Sequence, residues 1–367
     1  MKVECAKDKL KECVAYVGKI TAKNLSLPIL ESIFIEAKDR GLILRATNLD
    51  VGLEVKMPAK VERNGTIAVP ADILTAFLSG LQEEQIIKVE LINNNLSIST
   101  KRNSTVIKSF PAGDFPIIPK VDKENSFSIE ANKLVAGIRS VAYAAALSDM
   151  KPEISSVYIY IDSDELIFVA TDSFRLAEKR VQNQQKDKKM SVILPFKNAN
   201  EIARIFEQSS EILDVYFNKN QISVVSPTIY FTSRLVGGIF PDYRQIVPRE
   251  KKTELVVLKK DLIDSIKISN IFSDKLNQIS IKISLEDALF EISSKNQDRG
   301  ESATIIPATI EGESVEATVN AKYILDCLQS ISSDSVHIVF NGQNKPITIK
   351  GIGGGNSFLY LLMPMNL

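Results

Sequence analysis

One short pattern occurs three times in this chain at a constant spacing. A strand-like run, then Pro or Asn, then an amphipathic helical run appears in TIAVPADILTAFLSGL, SVILPFKNANEIARIF and EATVNAKYILDCLQSI. Pro70, Pro195 and Asn320 mark the three copies, and both steps between them are 125 residues. Solenoid units span only about 20 to 50 residues, so a repeat of this length is a whole domain. The pattern therefore predicts three consecutive domains of one fold.

Two further markers keep almost the same register. Phe115-Pro116 recurs as Phe240-Pro241 after 125 residues, and Ala46-Thr47 recurs as Ala170-Thr171 after 124 residues. The charged runs KVDKEN and PREKKTE are typical of short linkers between the copies. Each copy has the usual length of a domain. The predicted domains are residues 1–120, 125–248 and 252–367.

Each copy contains two helical patterns among many short β-rich runs. This mixture favours an α+β fold with antiparallel sheets. In the first helical pattern, apolar residues from Leu10 to Val17 recur with helical spacing, and Lys7 and Lys11 lie off that stripe. We therefore expect a core face and a separate basic face on the helix.

The cysteine and histidine content argues against several kinds of site. Cys5, Cys13 and Cys327 are odd in number and scattered, which favours neither a disulfide framework nor a thiolate metal site. The single histidine, His337, lies in the alternating run SVHIVF and is interpreted as a strand residue. We expect no metal and no cofactor.

The charge balance and the N-terminal sequence narrow the possible partners. The chain begins MKVECAKDKLKEC, with charges where a signal peptide has its apolar core, and no later run approaches the roughly 18 apolar residues of a membrane span. We therefore expect a cytoplasmic protein with no membrane partner.

Lys and Arg number 45, as do Asp and Glu, whereas proteins that grip nucleic acid usually have a basic excess. A DNA partner would have to be held by something other than net charge.

Domain size suggests how DNA could be held. A domain of this length has a diameter of roughly 36 Å, so three in a ring leave a gap of only about 6 Å, and six leave a gap about one domain wide. Duplex DNA is roughly 20 Å wide, so six domains, or two chains, can encircle it. A closed dimer also covers exposed edge strands. The candidate inner-wall cations are Lys7, Lys11, Lys19, Lys23, Lys133, Arg139, Lys197, Arg204, Lys259, Lys260 and Lys267.

The stretch ATDSFRLA, from Ala170 to Ala177, places an acid, two hydroxyls and a base within six residues. Asp172 and Arg175 are a candidate catalytic pair, but an ion pair that stabilises a turn is the simpler interpretation, and no nucleophile with a matching base accompanies them. The first copy reads ATNLDVGL, with Asn48 and Val51 at the equivalent positions. The fold therefore does not require the Asp–Arg pattern, and we predict a local specialisation of the second copy.

Other classes of function remain as alternatives. A sequence-reading DNA binder lacks support because no helix-turn-helix or zinc motif is present. A phosphate loop at Gly351–Gly355 lacks the following Lys-Ser/Thr and helix, so a hairpin turn is predicted there. A protein scaffold that never encircles DNA stays open, and retention on circular but not linear DNA separates it from a ring.

Four motifs together give the chain a resemblance to a known family. LPIL at Leu27–Leu30, ATDSFRLA, FPDYRQIVP at Phe240–Pro248 and the terminal LMPMNL are similar to the β subunits of bacterial DNA polymerase III, the replicative sliding clamps. The resemblance covers the whole chain. It implies a homodimeric ring of six clamp domains with helices lining the hole, and a non-catalytic subunit of the polymerase holoenzyme.

The resemblance also implies partners and a binding site. A clamp loader would open the ring around double-stranded DNA, and the replicative polymerase α subunit, other polymerases and repair proteins would insert short Gln/apolar peptides between the second and third domains. The implied pocket residues are Ile154, Thr171, Ser173, Phe174, Arg175, Leu176, Pro241, Ile246, Pro346, Leu361, Met363, Pro364, Met365 and Leu367. The expected DNA-facing residues are Lys7, Lys11, Lys23, Asn24, Lys133, Lys151, Lys197, Arg204 and Lys260. The expected dimer seam comprises Thr105, Ile107, Ile271 and Phe272.

The chain departs from the family pattern at the rim of this pocket. Ser173-Phe174 stands where members often carry Gly-His or Gly-Tyr, and Gln245 and Asn366 stand where they carry Arg. Arg175 would form one rim through its stem and its donors. We expect these departures to alter the polarity of the rim and the peptide preference.

Overall fold

The structure, a computed structural model, describes residues 1–22, 27–81, 85–182, 190–342, 344–353 and 357–365. Within these ranges it contains six α-helices, two for each predicted copy. They are α1 Lys7–Gly18, α2 Ala71–Gly80, α3 Ala131–Val141, α4 Phe196–Ile205, α5 Lys259–Ile271 and α6 Ala321–Leu328. Short 3-10 turns occur at Pro28–Glu31, Ala112–Asp114, Ala142–Ala144 and Tyr243–Ile246.

The other regular structure is β-sheet, which fulfils the α+β prediction. The strands before the second helix of the central copy are β1 Lys2–Ala6, β2 Ser32–Lys38, β3 Gly41–Thr47, β4 Val51–Pro58, β5 Lys60–Arg63, β6 Gly65–Pro70, β7 Ile86–Ile92, β8 Asn95–Ser99, β9 Ser104–Ile107, β10 Ser126–Glu130, β11 Ser156–Asp162, β12 Glu165–Thr171, β13 Arg175–Gln182 and β14 Ser191–Pro195. The strands after it are β15 Ile212–Phe217, β16 Gln221–Val225, β17 Ile229–Arg234, β18 Thr253–Leu258, β19 Gln278–Ser284, β20 Leu289–Asn296, β21 Gly300–Ile305, β22 Ala308–Gly312, β23 Val315–Asn320, β24 Ser335–Phe340, β25 Ile347–Gly351 and β26 Phe358–Leu362.

In the described ranges, these strands form four antiparallel sheets. Sheet 1 has the order β5-β1-β7-β8-β9, and sheet 2 has the order β10-β15-β16-β17-β4-β3-β2-β6. Sheet 3 has the order β14-β11-β12-β13-β26-β25-β24-β18-β22, and sheet 4 has the order β21-β20-β19-β23. The glycine-rich stretch after Lys350 joins the antiparallel strands β25 and β26, so the hairpin prediction is confirmed, although Gly354 and Gly355 lie outside the described residues.

The chain divides into two compact units. The first comprises residues 1–131 and 208–235 and contains sheets 1 and 2. The second comprises residues 132–207 and 236–367 and contains sheets 3 and 4. This division does not follow the sequence repeat, because strands of the central copy pair with the first copy in sheet 2 and with the last copy in sheet 3. The joining ladders are β4–β17 and β13–β26.

The repeat markers occupy one structural position. Pro70, Pro195 and Asn320 each end a strand and form the N-cap of the following helix. Proline supplies φ values of −52° and −48° in the first two copies. In the third copy, the Asn320 side-chain oxygen accepts hydrogen bonds from the N–H groups of Lys322 and Tyr323 at 2.9 and 3.3 Å. The repeat in sequence is therefore a repeat of helix starts.

The leading helices of the three copies also begin alike. In each, the first N–H donates to a backbone carbonyl located shortly before a later strand, at 3.0, 2.9 and 2.8 Å. These pairs are Lys7 with Gln85, Ala131 with Glu211, and Lys259 with Asp334. The predicted stripe of α1 is buried, with Leu10 and Val17 at 2% and 0% exposure. His337 lies in β24, as predicted, and its ring is 2.8 Å from Glu254.

Candidate functional site

The stretch ATDSFRLA forms the β12–β13 hairpin. The Thr171 hydroxyl donates to the Arg175 carbonyl at 2.7 Å. The Asp172 carboxylate accepts the N–H groups of Phe174 and Arg175 at 3.0 and 2.9 Å. Ser173 has a φ of 77°, in the left-handed region that glycine favours. The side chains of this stretch therefore hold the turn itself.

The first copy builds the same turn from different residues. The Thr47 hydroxyl donates to the Val51 carbonyl at 2.8 Å, and Leu49 has a φ of 75°. The Asn48 side-chain oxygen accepts the N–H groups of Asp50 and Val51 at 3.0 and 2.7 Å. The turn thus forms without an Asp–Arg pair, as the sequence predicted, although a side-chain oxygen accepts two backbone N–H groups in both copies.

Arg175 is the residue that distinguishes the second copy. Its side chain is only 9% exposed, and Nε donates to Asp172 at 3.0 Å, which is the predicted turn-stabilising ion pair. Nη1 donates to Asp326 of α6 at 2.7 Å, and Nη2 donates to the Tyr143 carbonyl at 2.6 Å. Arg175, which was expected to form one rim of the pocket through its stem and its donors, therefore has its guanidinium bonded on three sides within the protein.

A cavity of about 850 Å³ opens beside this turn, within the second compact unit. Leu176 and Leu361, at 1% and 2% exposure, lie against it with Ile246 and Phe174, which are 50% and 62% exposed. Nine of the fourteen residues implied by the resemblance line it: Thr171, Ser173, Phe174, Arg175, Leu176, Ile246, Pro346, Leu361 and Met363. The other lining residues, of which only Gln245 was expected at the rim, are Arg244, Gln245, Val247, Pro248, Arg249, Glu250, Asn341 and Lys345. Four of these eight, from Arg244 to Pro248, belong to the motif FPDYRQIVP.

Five implied residues are not part of this lining. Pro241 borders a separate cavity of about 430 Å³. Pro364 and Met365 border another of about 470 Å³, because the chain turns away after Met363: the Met363 N–H donates to the Phe174 carbonyl and the Met365 N–H to the Thr318 carbonyl, both at 2.8 Å. Ile154 is half-buried in a turn, where its N–H donates to the Lys151 carbonyl. Leu367 and Asn366 lie outside the described residues.

A buried polar network fixes the wall that carries Ile246. The hydroxyls of Tyr160 and Tyr243 are 2.7 Å apart, and the Tyr243 hydroxyl also donates to Glu178. Burial raises the pKa of Tyr243, and the hydrogen bond to Glu178 raises it further, so this phenol stays a donor. Arg244 donates to the Tyr160 hydroxyl at 3.0 Å. The 3-10 turn Tyr243–Ile246 is thereby held against sheet 3.

The expected DNA-facing cations differ in solvent exposure and in their contacts with other residues of the chain. Lys7 is 12% exposed, and its ammonium donates to the Leu81 carbonyl. Lys259 likewise donates to the Ile331 carbonyl at 2.7 Å. Ion pairs involve Lys197 with Asp149, Arg139 with Glu207, and Arg204 with Glu201. Lys11, Lys19, Lys151, Lys260 and Lys267 are exposed, Lys133 is half-buried, and Lys23 and Asn24 lie outside the described residues.

The expected dimer-seam residues are also placed. Ile107 is 3% exposed because it faces inward opposite Leu96, whereas Val106, between Ile107 and Thr105, is 58% exposed. Ile271 is 61% exposed and Phe272 is half-buried. Thr105 and Ile107 lie in the edge strand β9 of sheet 1, whereas Ile271 ends α5 and Phe272 is its C-cap.

Metal-binding clusters and membrane-spanning helices are both absent from the described ranges. These ranges contain no group of three or more His, Cys, Asp or Glu side chains that could hold a metal ion. None of their helices is both long and apolar enough to cross a membrane. Cys5, Cys13 and Cys327 are free and buried.

Three family models match the chain in succession. The N-terminal domain of the DNA polymerase III beta subunit matches residues 1–119, its central domain matches residues 128–242, and its C-terminal domain matches residues 244–366. The resemblance carried by the four sequence motifs is thereby confirmed, and three clamp domains follow one another along the chain.

Curated relatives and solved structures match this chain over its full length. The beta sliding clamp of Bacillus subtilis is 26% identical over 377 residues, covering 100% of this chain and 99% of that protein, and the beta sliding clamp of Synechococcus elongatus is 26% identical with full coverage of both. The crystal structure of the Bacillus subtilis DNA polymerase sliding clamp superposes with a TM-score of 0.95 at 25% identity, covering 100% and 99% of the two chains. A Pseudomonas aeruginosa sliding clamp bound to griselimycin shares the fold, with a TM-score of 0.95 at 24% identity and full coverage. The chain therefore belongs to the DNA polymerase III beta subunit family, the sliding clamps that serve DNA replication as non-catalytic processivity factors.

Proposed function

We propose that two copies of this chain close into a ring of six clamp domains, with boundaries near 1–120, 125–248 and 252–367, around double-stranded DNA. A clamp loader opens the ring in the cytoplasm, and the replicative polymerase α subunit, other polymerases and repair proteins bind through short peptides in the cavity beside Thr171–Leu176. Family membership supports the ring. The main support for the peptide site is the cavity and its apolar floor.

The chemistry of the cavity suits a short apolar peptide. Its floor is formed by Leu176 and Leu361, and Ile246, Phe174 and Met363 stand around it, so that aliphatic or aromatic side chains can be buried there. Sites of this kind combine an apolar lining with a few polar groups that fix orientation. A flexible methionine side chain adapts to peptides of different shape.

The edge strands support a head-to-tail dimer. β9 and β21 end their sheets, and each carries an exposed apolar side chain, Val106 at 58% and Ile305 at 66% exposure. Exposed edges of this kind invite pairing with another chain. Pairing of β9 with β21 of a second copy, repeated by symmetry, closes a ring and covers both edges.

The DNA contact is expected to be weak and independent of sequence. Exposed lysines occur at the leading helices of two copies, with Lys11 on α1 and Lys260 and Lys267 on α5. The formal net charge is zero. A ring that retains DNA by topology needs only a mildly basic wall.

Peptide binding is tested with a labelled peptide that contains glutamine followed by apolar residues. Met363→Glu and Ile246→Glu place a carboxylate at the cavity while sparing the buried floor, and we expect each to weaken binding at least about tenfold, as measured by fluorescence anisotropy. Ile117→Glu is the matched control, because Ile117 is 94% exposed and does not line the cavity. Full affinity in both cavity variants would exclude the site.

Encirclement is tested on nicked circular DNA with the clamp loader and ATP. We expect the loaded protein to remain on circles during gel filtration and to leave within minutes once the circle is cut. A scaffold that does not encircle DNA gives equal retention on both substrates, which would contradict the ring.

A further inference from the structure

Arg175 makes three charge-assisted contacts that point in three directions. Nε reaches Asp172 at 3.0 Å, Nη1 reaches Asp326 at 2.7 Å, and Nη2 reaches the Tyr143 carbonyl at 2.6 Å. The guanidinium also lies 4.2 Å from the centre of the Tyr323 ring. A planar guanidinium with several donors holds its acceptors in a fixed geometry, which a lysine ammonium does not.

The acceptors belong to separate segments of the second compact unit. Asp172 lies in the hairpin turn that lines the cavity, Asp326 and Tyr323 lie in α6, and Tyr143 lies in the 3-10 turn after α3. Asp326 is not among the lining residues of the cavity. A single side chain thus joins the cavity wall to a helix that contributes no lining residue.

The network is costly to disturb because it is buried. Tyr360 and Cys327, both at 0% exposure, lie beside it. Burial alone lowers the pKa of the Arg175 guanidinium, but the hydrogen bond to Asp326 and the charge of Asp172 outweigh burial and raise it. Removal of Arg175 therefore leaves the carboxylates of Asp172 and Asp326, whose side chains are only 15% and 21% exposed, without this charge partner.

The turn itself does not require this arginine. In the first copy, Val51 occupies the equivalent position, and the hydrogen bonds of Thr47 and Asn48 form the same turn. What Arg175 adds is the attachment to α6.

The geometry points to Arg175 as a positioning residue that sets the shape of the peptide cavity by fastening the Thr171–Arg175 turn to α6 through Asp326. Arg175 acts on a bound peptide through the wall that carries Ser173 and Phe174, and Asp326 controls affinity without touching the peptide. The inference rests on the proposed peptide site.

The first test is a double-mutant cycle on the full-length protein, with the labelled Gln/apolar peptide as the probe. Arg175→Met and Asp326→Ala should each weaken peptide binding about tenfold, and the double variant should bind no more weakly than Arg175→Met alone, since Arg175→Met already removes the contact between Arg175 and Asp326. Lys322→Ala is the matched control on α6, because Lys322 is exposed, and it should keep full affinity. If Arg175→Met weakens binding while Asp326→Ala does not, Arg175 contacts the peptide directly and the inference is overturned.

The second test needs no peptide. The chain contains no tryptophan, so Phe174→Trp places a single indole on the turn. If α6 positions the turn, adding Asp326→Ala shifts the emission maximum of the folded protein, whereas adding Lys322→Ala does not. An unchanged emission maximum with only a lower unfolding midpoint indicates a purely structural contact and overturns the inference.

The two tests separate the two proposals. If the wild-type protein fails to bind the peptide and Met363→Glu changes nothing, the peptide site is wrong, yet the tryptophan emission still decides whether α6 positions the turn. If the wild-type protein binds and Asp326→Ala binds equally well, the peptide site stands and the role given to Arg175 fails.

Discussion

Asp172 and Asn48 occupy the same position of the same turn in two copies of the repeat. A carboxylate and an amide differ in charge, but each accepts two backbone N–H groups through one oxygen. The shared role is therefore acceptance of hydrogen bonds, which Asp and Asn both provide at turns. We expect Asp172→Asn to preserve the hairpin.

Ser173 adopts a backbone conformation that costs free energy in any residue with a Cβ. Its φ is 77°, and relief of that strain by glycine outweighs the larger entropy of glycine in the unfolded chain. We therefore expect Ser173→Gly to raise the free energy of unfolding by about 0.5 to 1 kcal/mol, as measured by urea denaturation. Leu49→Gly, at a φ of 75°, is the parallel case. Ser173→Ala is the control, and a Gly variant no more stable than the Ala variant would show that strain relief does not outweigh the entropy cost of glycine.

At the scale of elements, a lysine connects the two helices of the outer copies. Lys7 and Lys259 begin α1 and α5, and each ammonium donates to a carbonyl just after the second helix of its copy, that of Leu81 or Ile331. Leu81 is the C-cap of α2, where a cation is favoured by the helix dipole, whereas Ile331 lies three residues beyond the end of α6. The central copy has Ala131 at this position and lacks the contact.

This contact separates lysines that stabilise the fold from lysines that face solvent. We expect Lys259→Met to lower the free energy of unfolding by about 1 kcal/mol and to leave retention on circular DNA unchanged. The neighbouring Lys260 is exposed, so Lys260→Met should leave stability unchanged and lower the DNA affinity at low salt. Thermal unfolding measures the effect of each substitution on stability, and a DNA-binding titration at two salt concentrations measures its effect on DNA affinity. The reverse pattern would mean that Lys259 faces the DNA.

Local sequence patterns predicted some elements and missed others for identifiable reasons. The helical stripe from Leu10 to Val17 and the turn at Thr171–Arg175 depend on neighbouring residues, and both could be predicted. The orientation of Ile107 could not, because a shift of one residue in the four-residue strand β9 reverses which side chains face inward. The separation of Met365 from the cavity depends on its backbone bond to Thr318, which no local pattern encodes.

At the scale of the whole molecule, the sequence repeat and the sheets do not coincide. Strands β10 and β15–β17 of the central copy extend sheet 2, and β11–β14 extend sheet 3. Each central strand group is thus continued by a neighbouring copy through a backbone ladder, β4–β17 or β13–β26. The two remaining sheets, 1 and 4, each end in a strand of an outer copy, β9 or β21. A second copy that pairs with these strands would extend sheets 1 and 4 from one chain into the next, as sheets 2 and 3 extend from one copy of the repeat into the next.

The oligomeric state of the protein tests directly whether edge strands pair between two chains. We expect the protein to sediment at micromolar concentration with twice its chain mass of 40.7 kDa. Ile271→Arg and Ile305→Arg place a charge on side chains that are 61% and 66% exposed in the single chain, and burial of an unpaired charge at a seam should weaken the dimer by at least about tenfold. The combined variant should sediment as a folded monomer, and it should be lost from circular DNA. Ile117→Arg is the control, because Ile117 is 94% exposed and lies outside both edge strands. A dimer that survives both substitutions would place the seam on other surfaces.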